Sequence, residues 1–472
     1  MDTPSPLTVP SPFFTLPLEL REQIYSLYHK PADRLQRNHI LDAQGFFGGV
    51  YRFDFSLWRV NRQVYEEAKR VWRRENIFVK IGTPWPSAGM YRVYLVAEDA
   101  SFTLDEDGQH FTHISSEGLM PIVCTDEKAD LFNNHHAVVQ ITAPFHQAVP
   151  EHTVLVLLND LHLFSQTWFY SALSYPMLND RLSTTFILRD PNSTESNPAV
   201  KDQPPNIPLA LQHRLLLPFE QVKGLYGIDI QGYSAEVSQE LRRRMAIPNP
   251  TLVEYLDKAT DLLIQGDAVL AANNPIEALD LYNQAFKAIH IIISGRTRRV
   301  LADVFFHEAI TSGRYTGQTG MTVRVMLRLR LVARTVACYL ALSQWDEAAY
   351  WGMRSIRIMR EAMDTEFEDF LSEFLGGSDV GLIYMRTGIA FWKMERDLGT
   401  WGKEVGGYEG ENDARSEALW VSAKRYLGRQ SKEPLRRELE AYGVPREVVG
   451  MFRDEKGGKE GSVVAENGSG EE

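Results

Sequence analysis

Cysteine is nearly absent: Cys124 and Cys338 are the only two in 472 residues. Two thiols cannot frame a disulfide scaffold or a thiolate zinc site. Both read as small buried hydrophobes in a reducing compartment. Long apolar runs are missing as well, since the longest, such as TVLVLL at 153–158, fall far short of the ~20 residues that span a bilayer. The first Lys or Arg is Arg21 and no apolar run follows a basic start. No secretory signal is therefore expected, and the protein is placed in the cytoplasm, the nucleus or both. Positive charge is in deficit: the formal net charge is -12, which argues against nucleic acid or an anionic membrane as the main partner, because both demand a basic footprint.

What is present is ordinary globular material, 44% hydrophobic and 24% charged, in a chain long enough for two or three cores. The opening segment LPLELREQIYSLY, 16–28, reads as a helix. Leu16, Leu20, Ile24 and Leu27 share one face, while Leu18, Tyr25 and Tyr28 lie off that stripe. A helix apolar on two sides needs two surfaces to bury against: its own domain and either a partner or a further part of the fold. Residues 57–75 predict a second helix, its stripe formed by Leu57, Val60, Val64, Ala68, Val71 and Trp72. Its basic flank of Arg59, Arg62, Lys69, Arg70, Arg73 and Arg74 reads as a solvated face.

NIFVKI (76–81) and YRVYLVA (91–97) then predict strands, as do GLMPIVC, AVVQITA, TVLVLL, STTFILR and GLYGIDIQG. Helices are expected at DLHLFSQTWFYSAL and AEVSQELRRRM, and a surface loop at 190–208. This region predicts a mixed α/β sheet. From 251 onward strand signals fade and helices follow one another: 251–274, 275–293, 297–311, 321–342, 344–363, 379–397 and 413–428. The tail 454–472 holds six acidic and two basic residues among Gly, Ser and Asn and is expected to be disordered. The fold class expected is α+β, with a mixed α/β region followed by an all-α domain.

No enzyme constellation is found. GGSDVG (376–381) lacks the spacing of a nucleophile elbow. DEDG (105–108) has Thr103 and Ile114 where a calcium loop needs carboxylates, so it reads as a hairpin turn. GFFGG (45–49) lacks phosphate-loop spacing. His135 and His136 point in different directions with no accompanying ligand pattern, and a solvated turn is expected. Catalytic residues, metal ligands and cofactors are accordingly set at none. In VRVMLRLRLVAR, Arg324, Arg328, Arg330 and Arg334 interleave with apolar residues. A helix with a solvated basic flank is expected, the alternative being a groove for an acidic peptide.

Two resemblances join these observations. GDAVLAANNPIEALDLYNQAFKA, with Gly266, Ala278, Tyr282 and Ala285, resembles a tetratricopeptide repeat. TVACYLALSQWDEAAYWGMRSI, with Tyr339, Trp345 and Ala348, is similar, although Gly352 replaces an aromatic. MRTGIAFWKMER, with Gly388 and Phe391, resembles the first helix of a third copy. That resemblance implies a groove for a protein or peptide client. Positions that clamp a carboxylate terminus in chaperone-binding members carry Leu263, Asp267, Arg334, Leu382 and Arg386 here, and only Arg386 keeps the expected type.

LPLELREQIYSLY followed by LWRVNRQVYEEAKRVWRRENIFVKI resembles the F-box-like module of fungal proteins. Leu16, Pro17, Glu19, Arg21, Ile24 and Tyr25 match its first part; Leu57, Arg59, Val60, Arg62, Gln63, Tyr65, Glu67, Ala68, Asn76 and Phe78 match its second. The resemblance implies a non-enzymatic substrate receptor that docks the Skp adaptor of a cullin ubiquitin ligase. Leu16, Pro17, Leu20, Ile24 and Leu27 would then contact the adaptor, and Arg334 and Arg386 the client in the groove. One apolar side of the opening helix would pack on helix 57–75, the other on the adaptor. An insert of roughly thirty residues parts the two helices, so the second reading is a scaffold whose F-box-like module is purely structural. The resulting division is 12–82 F-box-like, 83–250 mixed α/β packed on it, 251–450 repeat-like and 454–472 tail.

Overall fold

A computed structural model describes residues 12–43, 48–84, 120–145, 151–191, 207–362, 377–398, 415–428 and 431–452. The expected strand 91–97, the DEDG turn, most of the loop 190–208, part of GFFGG and the tail lie outside the described residues. The chain divides into two compact units, Met1–Asn249 and Pro250–Glu472. The first combines helices with a six-stranded mixed sheet and the second is almost wholly helical, so the architecture is α+β.

In the first unit, α1 (Leu18–Tyr28) starts directly after Pro17. The chain then runs through β1 (Leu35–Gln36), α2 (His39–Ala43) and β2 (Val50–Tyr51), with β1 and β2 forming a small antiparallel ribbon. α3 (Arg62–Glu75) follows. The expected helix 57–75 is thus split: Ser56–Arg59 is a short 3-10 turn. Asn61 causes the break, because its side chain accepts the Val64 N–H at 2.8 Å and caps a fresh helix. Val60 belongs to no buried stripe and stands exposed.

The sheet comprises β3 (Phe78–Thr83), β4 (Cys124–Thr125), β5 (Ala137–Thr142), β6 (His152–Leu157), β7 (Ser183–Leu188) and β8 (Gly227–Gln231). Their spatial order is β4-β6-β3-β5-β7-β8, with parallel pairs β3/β5 and β7/β8 and antiparallel pairs elsewhere. α4 (Asp126–Asp130), α5 (Leu161–Ser174), α6 (Leu209–Leu216) and α7 (Ala235–Met245) complete the unit. Strand alternation divides the side chains between two cores. Val79, Ile81, Val154 and Val156 pack with Trp168, Phe219, Val237 and Leu241. Phe78, Leu155 and Leu157 point the other way and meet Trp72 of α3. The Trp72 and Phe78 rings lie 5.1 Å apart. β3 therefore ends the stretch 12–82 and sits in mid-sheet at once, so that stretch shares a core with the sheet region.

The second unit opens with α8 (Leu252–Ala271), begun by a Thr251/Glu254 capping box, and α9 (Pro275–Ala288), with Asn274 as its cap and Pro275 in the first turn. The expected helix 275–293 ends at Ala288, and the expected helix 297–311 does not form: β9 (Ile291–Ser294) and β10 (Thr297–Val300) make a hairpin, followed by a 3-10 turn, Val304–His307. Three consecutive isoleucines favour extended backbone, and Gly295, with φ +57°, supplies the left-handed turn residue. α10 (Gly320–Ala341), α11 (Trp345–Ala362), α12 (Ser378–Lys393), α13 (Ser416–Tyr426), α14 (Lys432–Ala441) and α15 (Arg446–Met451) follow. The last two answer no helix in the sequence reading.

Small residues set the spacing of these helices. A Cβ on Gly266 would come within 2.4 Å of the Tyr282 ring, so α8 and α9 close only because that atom is missing. Gly388 does the same for α12 against Trp420 of α13. Gly352, where the repeat resemblance expects an aromatic, brings α11 onto α12: a Cβ there would lie 2.9 Å from the Cβ of Thr387.

Candidate partner-binding site

α1 turns its apolar stripe outward. Leu20 is 44% exposed, Ile24 41% and Leu27 68%, with Leu18 and Pro17 also exposed and Leu16 half-buried. The inward face carries Tyr25, fully buried, together with Arg21 and, just past the helix, His29. Of the two apolar sides expected, the one that packs on the second helix is thus the side carrying Tyr25, not the leucine stripe. Tyr25 packs there in a small core with Val64, Ala68 and Val71 of α3.

A polar clamp fixes this orientation. The Arg21 guanidinium donates through Nε to Glu67 Oε2 at 2.9 Å and through Nη2 to Oε1 at 2.7 Å, a bidentate pair, while Nη1 bonds the Leu16 carbonyl at 2.6 Å. Tyr25 Oη donates to Glu67 Oε2 at 2.9 Å and Gln63 Nε2 to Oε1 at 2.9 Å, so four hydrogen bonds converge on one carboxylate. The Arg21 bond holds the Glu67 carboxyl down to about 2. Burial, then the neighbouring Glu67, pushes the Tyr25 phenol up to about 12. Rotating α1 to hide its leucines would strand Arg21 and Glu67 without partners, a cost that makes the clamp a register device. At the end of α1, Trp58 Nε1 donates to His29 Nε2 at 3.0 Å. Burial, reinforced by Arg34, pushes that imidazole down to about 4, so it stays neutral as the bond requires.

Arg334 and Arg386 do not stand free in a groove, and both are withdrawn as direct client contacts. Arg386 donates to Glu438 at 2.6 and 3.1 Å and to the Ala333 carbonyl at 2.7 Å, which uses up its fork inside the fold. Arg334 bridges Asp267, at 3.4 Å, and Asp379, while the Tyr282 hydroxyl also donates to Asp267. These arginines join helices of one unit. Arg324, expected on a solvated flank, is buried: it bonds the carbonyls of Ile289, His290 and Leu301 and pairs with Asp303.

His135 likewise departs from the expected solvated turn. It is buried, with Nδ1 3.0 Å from the Phe132 carbonyl and Nε2 2.9 Å from Arg189. The carbonyl requires a proton on Nδ1, so Nε2 accepts from the arginine. Burial, with Lys80 and Arg189, pushes this imidazole down to about 4. Burial pushes the thiols up, Cys124 to about 11 and Cys338 to about 12. Among the described residues no group of three His, Cys, Asp or Glu is placed to hold a metal, and no helix is long and apolar enough to cross a membrane.

Arg21, Tyr25 and Glu67 position α1, a role that sequence reasoning gave to none of them. The signal was there, since all three belong to the F-box-like resemblance, but nothing in a periodicity argument pairs residues 46 apart. Comparison with family models, curated proteins and solved structures finds no match to this chain.

Proposed function

We propose that this chain is a non-enzymatic interaction protein, an F-box-like substrate receptor that docks the Skp adaptor of a cullin ubiquitin ligase through α1 and takes its client on the helical unit. The observation that carries this reading is the outward set of Leu20, Ile24 and Leu27 on a helix whose other side is already satisfied. Three large apolar side chains on two turns of rigid helix cost solubility unless something covers them. A helix-in-groove partner reads such i, i+4, i+7 anchors directly. Pro17 and Leu18 extend the same exposed end.

The scaffold reading has one observation on its side. The insert between α1 and α3 is tied into the sheet unit, with Tyr51 N–H bonded to the Ile122 carbonyl at 2.8 Å. Such an insert suits a module kept for structure. Co-purification of the full chain with the Skp adaptor separates the two readings. Wild type should retain the adaptor, whereas Ile24→Asp should lose it while melting at the wild-type temperature. Failure of the wild type to bind would leave the scaffold.

A further inference from the structure

α3 carries Lys69, Arg70, Arg73 and Arg74, so like charges stack at i and i+4 twice, an arrangement that weakens a helix. With Glu66, Ile77, His136 and Leu211 these four cations line a cleft of about 440 Å³. The fold answers only part of this charge. Arg74 pairs with Glu22 at 3.0 Å and Glu75 at 3.5 Å. The Lys69 ammonium donates to Tyr65 Oη at 2.7 Å and lies over that ring. Arg70 and Arg73 have no carboxylate partner among the described residues. Complementing the helix dipole accounts for Arg73 and Arg74 in the last turn, not for a cleft with cations on two turns. The remaining wall is His136, whose Nδ1 is enclosed without a partner among the described residues, with the apolar side chains of Ile77 and Leu211.

We propose that this cleft binds a phosphate monoester. Two guanidinium forks without a carboxylate partner among the described residues offer bidentate hydrogen bonds to a tetrahedral dianion, and Lys69 adds a point charge. His136 forms part of the wall, and Ile77 with Leu211 takes the organic part. The cleft's size falls within the ~300–1,000 Å³ of small-ligand sites. The single carboxylate, Glu66, leaves the lining cationic. In a chain of net charge -12 such a local patch suits one compact anion, because a polyanion such as nucleic acid would meet the surrounding negative field. The ester is either a free small molecule or a phosphorylated side chain of a peptide. This site is independent of the adaptor reading of α1.

Calorimetric titration of the full chain with inorganic phosphate, free phosphoserine, a phosphoserine peptide and its unphosphorylated twin tests the proposal, in wild type, Arg70→Glu/Arg73→Glu and Arg70→Gln/Arg73→Gln. Phosphate-bearing probes should bind wild type and bind either double variant at least about tenfold more weakly, without a change in melting temperature. The glutamine pair keeps the test valid if charge reversal impairs folding. Equal affinity for phosphoserine and its peptide identifies a free ligand; a peptide preference identifies a peptide-borne one. The proposal falls if no phosphate probe binds, if both variants bind as wild type does, if the unphosphorylated peptide binds equally, or if a single-stranded oligonucleotide binds more tightly.

Discussion

Two helix pairs in this molecule are closed by opposite means. α8 and α9 meet through what is missing, a Cβ on Gly266 that leaves room for the Tyr282 ring. α1 and α3 meet through what is charged, the Arg21–Glu67 pair with Tyr25 across it. Apolar closure of the first kind is strong but non-directional, and any sequence of the right volumes approximates it. A hydrogen-bonded ion pair is directional. It selects one rotation of α1 and so holds a leucine stripe in water, where burial alone would turn it inward.

Breaking each closure should show the difference. The largest effect is expected for Glu67→Ala, which leaves Arg21 without its carboxylate: α1 should detach, with amide exchange across 18–28 accelerating by orders of magnitude while α8 and α9 are unaffected. Glu67→Gln, which keeps hydrogen-bond acceptors, should fall between this variant and wild type. Gly266→Val drives a branched side chain into Tyr282 and should cost roughly 3 kcal/mol, read as a lower midpoint in denaturant with the exchange of 18–28 unchanged.

Acid sharpens the same comparison. Burial lowers the imidazoles of His29, His135 and His136 in the first unit, the first two to about 4, and that of His290 in the second to about 3. Below about 6.5 the unfolded chain takes up protons that these folded sites refuse, so stability is lost as pH falls from 6.5 towards 4. Each site contributes at most about 1.4 kcal/mol per pH unit. With three such histidines against one among the described residues, exchange measured by peptide should speed up earlier in the first unit than in the second. Asp54 and Glu67, both held near 2, add their loss only below the ordinary carboxylate range. The smallest effect on stability belongs to Leu20→Asp/Leu27→Asp, within about 0.5 kcal/mol per site because both residues are exposed, as thermal melting would check.

The α8/α9 pair was legible because Gly266, Ala278, Tyr282 and Ala285 recur at spacings that only a close helix pair requires. The position of α1 was equally legible, from Pro17 and the leucine spacing, and the resemblance turned its leucine stripe towards a partner, but the clamp that fixes this facing was not legible. Periodicity assigns apolar residues inward by default, and the pairing that overrules it joins Arg21 to a residue beyond an insert. The hairpin at 291–300 was missed for a related reason, since a short apolar run fits strand and helix alike until its turn residue, Gly295, is weighed. α14 was missed because charge dominates KEPLRRELEA, where Leu435 and Leu439 alone are buried, and α15 because REVVGM is too short to show a period. Arg386 illustrates the converse: a residue type can sit at the right repeat position and yet be consumed by Glu438, as Arg334 is by Asp379 without being of the expected type.

The claim that α1 is a clamped helix with an outward docking face is tested most directly by hydroxyl-radical footprinting of the full chain, with and without the Skp adaptor. Leu20, Ile24 and Leu27 should oxidise readily in the free chain and become protected when the adaptor is added, while Tyr25 stays protected in both. Protection of the three apolar residues in the free chain, or oxidation unchanged by the adaptor, would contradict it.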